Sequence, residues 1–240
     1  MANNITRHIP NTITCCNLIS GCIATICAIY GSLWHALLFI VIGAVFDFFD
    51  GMSARLLHVS SPIGKELDSL ADVITFGLAP STMLFHELFA LEYPFGNAAS
   101  CQVLSYVPYV AFAMTAFSAL RLAKFNLDER QTTSFIGLPT PANALFWASL
   151  LLGLSDMLES STWAPFVLIA LMLLSCWLLV AELPMFALKF KQWGWKGNEV
   201  KYVFALSCIP LLIIFKVLAF AIIIAWYVVL SIYVNATKKQ

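Results

Sequence analysis

Charge is what this sequence has least of. Only 11% of its 240 residues are Asp, Glu, Lys or Arg, while 61% are hydrophobic. A soluble domain carries about a quarter charged residues. So few charges exclude a surface covered by water, and a membrane explains the deficit. The formal net charge is zero, so no bulk attraction to nucleic acid is implied and none is expected as a partner. The seven cysteines form no C-x-x-C and most lie in apolar runs. They read as small apolar fillers, which argues against a zinc site or a disulfide framework. Low-complexity tracts, internal repeats and a separate soluble domain are also missing. Arg7 precedes an apolar run as in a signal peptide, but Asn11, Thr12, Thr14, Asn17 and Ser20 interrupt it. No small-residue cleavage site follows, so a retained first helix is expected.

What the sequence does have is apolar stretches of spanning length, about 20 residues each. Eight helices are expected, over residues 12–31, 34–57, 63–90, 103–124, 141–157, 163–181, 199–215 and 217–235. Gly31-Ser32, Ser60-Ser61-Pro62, the Pro94–Asn97 loop and Gly137-Pro139-Pro141 mark the breaks. The last break rests on Lys216 alone, because a single helix from Tyr202 to Val234 is too long to span once. Twelve of the 13 basic residues then fall on one side: Arg7, Arg55, Lys65, Arg121, Lys124, Arg130, Lys189, Lys191, Lys196, Lys201, Lys238 and Lys239. The opposite loops carry Glu87, Glu92, Asp156 and Glu159 and no basic residue. Basic loops stay in the cytosol, so both termini are expected there, in the inner membrane of the cell. Trp34, Trp147 and Trp163 lie near expected helix ends, as interfacial anchors do, and Trp193 and Trp195 suit a segment on the cytosolic face.

Against that scarcity of charge, four aspartates stand close together within otherwise apolar stretches: Asp47 and Asp50, then Asp68 and Asp72. Burying four carboxylates at full depth in a bilayer costs on the order of 10 kcal/mol, and less near the interface. At about 100° per residue, Asp47, Asp50, Gly51 and Ala54 share one face of the second helix, and Gly64, Asp68 and Asp72 share one face of the third. A short cytosolic connection makes the two helices antiparallel neighbours, so the carboxylates converge near the cytosolic surface. Converging carboxylates repel unless they take up protons or a cation. All-oxygen ligands without His or Cys suit Mg²⁺ or Mn²⁺, and two such ions would serve a phosphoryl-type displacement. Gly51 and Ala54 leave room for a bulky ligand, and Arg55 can clamp a phosphate. Simple pairing with Lys65 and Arg55 leaves two anions unbalanced. An ion pathway or transporter is the alternative of a different class, but no chain of acids crosses the bilayer.

The spacing D-x2-D-G-x2-A-R-x8-G-x3-D-x3-D over residues 47–72 resembles the signature of the CDP-alcohol phosphatidyltransferase family. The resemblance implies an all-α membrane protein with a six-helix core over residues 1–182. Residues 183–240 would add a cytosolic loop and two C-terminal transmembrane helices. It further implies displacement of CMP from a CDP-lipid by an alcohol, in a homodimer. By position, Asp47, Asp50 and Asp68 resemble ligands of a first metal ion, and Asp47, Asp68 and Asp72 those of a second. Asp72 resembles the general base. Asn11, Thr14, Gly51, Ala54, Arg55, Ser61 and Gly64 are similar to positions around the CDP-lipid.

Two later segments bear on the acceptor. Ala119-Leu-Arg121-Leu-Ala-Lys124-Phe125-Asn126 and Phe135-Ile-Gly137-Leu138-Pro139-Thr140-Pro141-Ala142 resemble stretches of the phosphatidylserine synthase branch of that family. The implied reaction joins CDP-diacylglycerol and L-serine, with Arg121, Lys124, Asn126 and Pro139 at the acceptor. Arg121 can pair with the serine carboxylate and Asn126 can donate to it. Positive-inside topology and turn chemistry account for the same residues without a ligand. Inositol phosphate, glycerol phosphate and choline are the alternative acceptors.

Overall fold

The computed structural model describes residues 8–59, 61–99, 101–128, 135–185, 194 and 198–238. Its helices are α1 (Ile9–Ile29), α2 (Leu33–Leu56), α3 (Pro62–Ala90), α4 (Leu104–Leu127), α5 (Thr140–Gly153), α6 (Ser155–Glu159), α7 (Ala164–Val180), α8 (Glu199–Phe215) and α9 (Ala219–Lys238). Among the described residues, strands are confined to two short antiparallel pairs. β1 (Glu92–Tyr93) joins β2 (Gly96–Asn97), and β3 (Phe135–Ile136) joins β4 (Pro184–Met185). Among the described residues five stretches are long and apolar enough to cross a membrane: Ile9–Ile29, Leu33–Leu56, Pro62–Ala90, Leu104–Leu127 and Glu199–Thr237. Ala164–Val180 is shorter but apolar throughout. The protein is therefore a multi-pass membrane protein built from helices.

The 39 residues of Glu199–Thr237 would measure about 58 Å as one helix, nearly twice a bilayer core. They fold back instead. Lys216 takes φ +49°, a left-handed turn that ends α8. Phe204 then packs on Tyr227 at 5.8 Å between ring centroids, and the Trp226 indole donates to Ser207 Oγ at 3.2 Å. Those pairs straddle Lys216, so α8 and α9 are an antiparallel hairpin, as the single lysine implied.

Two expectations need correction. Residues 141–157 do not form one helix, because the chain breaks at Leu154 and restarts as α6. Trp147 is not an interfacial anchor. It is fully buried in the main core with Leu151, Leu168 and Met172, and its indole donates to Ser175 Oγ at 3.1 Å. Ser175 in turn donates to Asn143 Oδ1 at 2.6 Å. Trp34 and Trp163, by contrast, are exposed beside helix starts. Arg7, Arg130, Lys189, Lys191, Lys196, Lys239, Trp193 and Trp195 lie outside the described residues.

Inside α3 the ladder changes pitch. Val73–Leu78 is a π-turn, and Ala79 N donates to Ile74 O, five residues back. Pro80 explains it: the ring has no N–H to offer and clashes with the carbonyl four residues earlier, so the turn must widen. The widened turn pushes Thr75 into the seam between α1 and α2. Its hydroxyl donates to Asn17 O at 3.1 Å. Gly21 and Gly43 make room: a Cβ on Gly21 would stand 2.8 Å from Thr75 N, and one on Gly43 2.5 Å from Thr75 Cγ2. Three helices thus meet one turn below Asp72.

Candidate active site

Each aspartate reaches the centre from a helix end that its own sequence defines. Asp47 and Asp50 sit on the last turns of α2, and Asp68 and Asp72 on the first turns of α3. Ser61 starts α3 by accepting a hydrogen bond from Gly64 N at 3.0 Å, an N-cap followed by Pro62 at the first helical position. One carboxylate oxygen each from Asp47, Asp50 and Asp68 lies within 4.8 Å of the other two. Asp47 also approaches Asp72 to hydrogen-bonding distance.

The chain holds these groups without neutralising them. Thr14 donates to Asp50 Oδ2 at 2.7 Å, and Asn17 Nδ2 donates to Asp72 Oδ1 at 3.3 Å. Asp68 Oδ1 is buried and has no hydrogen-bond partner. The two cations expected to pair with them hydrogen-bond elsewhere, Lys65 Nζ to Asn126 O at 2.9 Å and Arg55 Nε to Gly51 O at 2.8 Å, while the Arg121 charge acts on Asp72. A buried carboxylate oxygen left without donor or cation is costly. Three convergent carboxylates with one orphan oxygen fit a hard divalent cation. Asp50 and Asp68 would be exposed to it from the adjoining cavity, and Asp47 would complete the ligand set.

That cavity, about 240 Å³, is lined by Asn11, Thr14, Asp50, Gly51, Ala54, Ser61, Gly64, Lys65 and Asp68, with Pro10 and Val59. Of the residues expected around a CDP-lipid, only Arg55 is missing, because its side chain folds back onto Gly51 O. The two glycines serve different ends. A Cβ on Gly64 would meet Asn11 Oδ1 and Ser61 Oγ, each at 2.9 Å, so this glycine lets α1 and α3 close one wall. A Cβ on Gly51 would meet only Arg55 Nη2, at 3.6 Å. The protein's own packing makes no demand at Gly51, and the space it leaves belongs to the cavity.

A second cavity, about 360 Å³, lies between the ends of α4 and α7. Arg121 and Lys124 line it. Arg121 is only 7% exposed, its Nε has no hydrogen-bond partner, and its charge acts on Asp72. Asn126 is elsewhere: its amide donates to Ser69 Oγ at 2.8 Å, tying α4 to α3. Pro139 lines neither cavity and caps α5, accepting from Asn143 N at 3.0 Å. Asn17 was missed as a site residue. The available signal was a polar side chain one helical turn after Thr14 in an apolar run, which is legible only once α1 is known to face the aspartates.

Comparison with known proteins agrees with this geometry. The sequence model described as CDP-alcohol phosphatidyltransferase matches residues 7–181. Several curated proteins named CDP-diacylglycerol–serine O-phosphatidyltransferase are similar. That of Bacillus subtilis (strain 168) is 41% identical over 135 residues, which is 56% of this chain and 70% of the relative. That of Helicobacter pylori (strain 26695) is 35% identical over 138 residues, 57% of this chain and 54% of the relative. That of Methanocaldococcus jannaschii is 32% identical over 152 residues, 63% of this chain and 62% of the relative. The alignments thus span between about half and 70% of these proteins. The α8–α9 hairpin lies beyond the matched residues.

Proposed function

The chain belongs to the CDP-alcohol phosphatidyltransferase family, and on that premise we propose that it transfers the phosphatidyl group of CDP-diacylglycerol to the hydroxyl of L-serine, giving phosphatidylserine and CMP. The observation that carries the reading is a pair of separate cavities, each tied to the aspartate cluster by one of its lining groups. One is lined by Asp50 and Asp68, the other by Arg121, which neighbours Asp72. A donor and an acceptor can approach one reacting phosphorus from different directions. The names of the relatives, all serine transferases, support serine over inositol phosphate, glycerol phosphate or choline.

The donor's cytidine diphosphate end occupies the cavity at Asn11, Thr14, Gly51, Ala54, Ser61 and Gly64, with its acyl chains in the inner leaflet. Arg55 swings from Gly51 O to the phosphates. Two divalent ions, Mg²⁺ or Mn²⁺, held by Asp47, Asp50, Asp68 and Asp72, would supply charge neutralisation at the transferring phosphoryl group. Thr14 and Asn17 orient Asp50 and Asp72. Serine enters from the cytosol and its carboxylate meets Arg121. Asp72 takes the hydroxyl proton as the serine oxygen bonds to the β-phosphorus, and the bond from that phosphorus to the CMP oxygen breaks. The fold reading that goes with this is a core over residues 1–182 followed by the hairpin, in a homodimer, with the reaction on the cytosolic side of the inner membrane.

The test is release of CMP from labelled CDP-diacylglycerol by purified protein, with each acceptor in turn and with Mg²⁺ or Mn²⁺. Serine is expected to give phosphatidylserine at the highest kcat/KM. CMP release with none of the alcohols overturns the enzyme reading, and preference for another alcohol overturns serine.

A further inference from the structure

The cavity beside Arg121 carries charge of both signs, and we propose that Asp128 and Glu182 are specificity residues that bind the ammonium of an amino-acid acceptor while Arg121 and Lys124 bind its carboxylate. The proposal rests on the serine reading above and deepens it. All four side chains line the same 360 Å³ space, which is within the range of small-molecule sites. Among the described lining residues two cations stand with two carboxylates, a pattern that matches a zwitterion. An acceptor bearing a phosphate would bring two negative charges against the same pair of carboxylates, so the lining both attracts one class and repels the other.

The cavity is built to receive a charged group. Arg121 is buried, yet its Nε lacks a hydrogen-bond partner. A buried guanidinium left this way calls for an anion with oxygens to spare. Backbone hydrogen bonds fix the chain at both acidic residues. Asp128 ends α4, its N–H donating to Lys124 O at 3.0 Å. Glu182 follows the end of α7 and is bracketed by two bonds from the Gly137-Leu138 segment: Leu138 N to Leu178 O at 3.0 Å and Gly137 N to Leu183 O at 2.9 Å. Gly137 makes that bracket possible. It has φ +76°, and a Cβ there would stand 2.8 Å from Leu179 O. The glycine-leucine-proline segment therefore acts at a distance, as a brace for the loop that carries Glu182. The Arg121 charge acts on Asp72, so an amino acid held by both charge pairs is bound on the side of the cavity that faces the proton acceptor.

The experiment compares two acceptors on Asp128→Asn, Glu182→Gln and the double variant. L-serine has the ammonium; glycerate has a hydroxyl in its place and keeps the carboxylate and the primary alcohol. For the double variant, KM for serine is expected to rise about ten-fold or more, with kcat within two-fold. KM for glycerate should stay unchanged or fall, so the preference for serine narrows. Glycerate turnover also reports that the variants are folded. Equal KM for serine in wild type and double variant overturns the proposal, as does an equal rise for both acceptors. If the wild-type protein uses another alcohol and ignores serine, the functional reading itself has failed, and this inference falls with it.

Discussion

Asp72 and Asp50 are both nearly buried, at 8% and 6% exposure, yet their partners differ in kind. Asp50 receives a short bond from a hydroxyl, and Asp72 a longer one from an amide, with the Arg121 charge nearby. In the proposed mechanism both carboxylates hold metal, and only Asp72 also takes the serine proton. Asp72→Asn is expected to fold normally and to lose at least about 10²-fold in CMP release; full activity would remove it as the base. Thr14→Val should raise the divalent-cation concentration needed for half-maximal rate by about 10-fold, since it loosens a ligand from behind. Asn17→Ala should instead lower kcat by about 10-fold or more and leave KM for the CDP-lipid unchanged. A rise in that KM with constant kcat would place Asn17 in donor binding and away from Asp72.

Between the elements, the π-turn of α3 is the decisive irregularity. It places Thr75 where Gly21 and Gly43 give way, and so draws α1, α2 and α3 together under the aspartates. A Cβ on Gly43 would press on Thr75 Cγ2 at 2.5 Å and on Asn17 Oδ1 at 3.0 Å. Gly43→Ala is expected to cost about 1–3 kcal/mol, read as a lowered Tm in detergent. Adding Thr75→Ser removes the opposing methyl and should restore part of the loss. A double variant no more stable than Gly43→Ala alone would mean that the close approach lies elsewhere. The helix stretches themselves were legible, because length and hydropathy are local properties. The π-turn was not foreseen, although Pro80 stood in plain view, because a proline within a helix can as well produce a kink or a break.

For the molecule as a whole, the expected topology puts twelve basic residues on one side, and among the described residues Glu87, Glu92 and Glu159 line a cavity with Trp34 and no lysine or arginine. Single cysteines introduced at His58 and at Gln102 into a cysteine-free protein test the arrangement. In sealed inside-out vesicles, an impermeant thiol reagent is expected to label the His58 position and spare the Gln102 position. The reverse pattern would put the aspartates on the outer face and remove the cytosolic supply of serine from the mechanism.

Sequence alone determined the class of the molecule, the position of its longest apolar helices and the convergence of the aspartates from two neighbouring helices. Each follows from a local rule: spanning length, and 3.6 residues per turn applied to two neighbouring helices. The motif around Asp47 and Asp72 named the chemistry. Tertiary structure decided what no local rule reaches. It set Asn17 against Asp72, turned Trp147 inward, tied the Asn126 amide to Ser69, and joined Asp128 and Glu182, 54 positions apart, in one cavity. The physical reason is that the approach of separate helices depends on which small residues let them close and which proline forces a turn to widen. Those pairings span tens of residues, and they become readable only when the helices are packed.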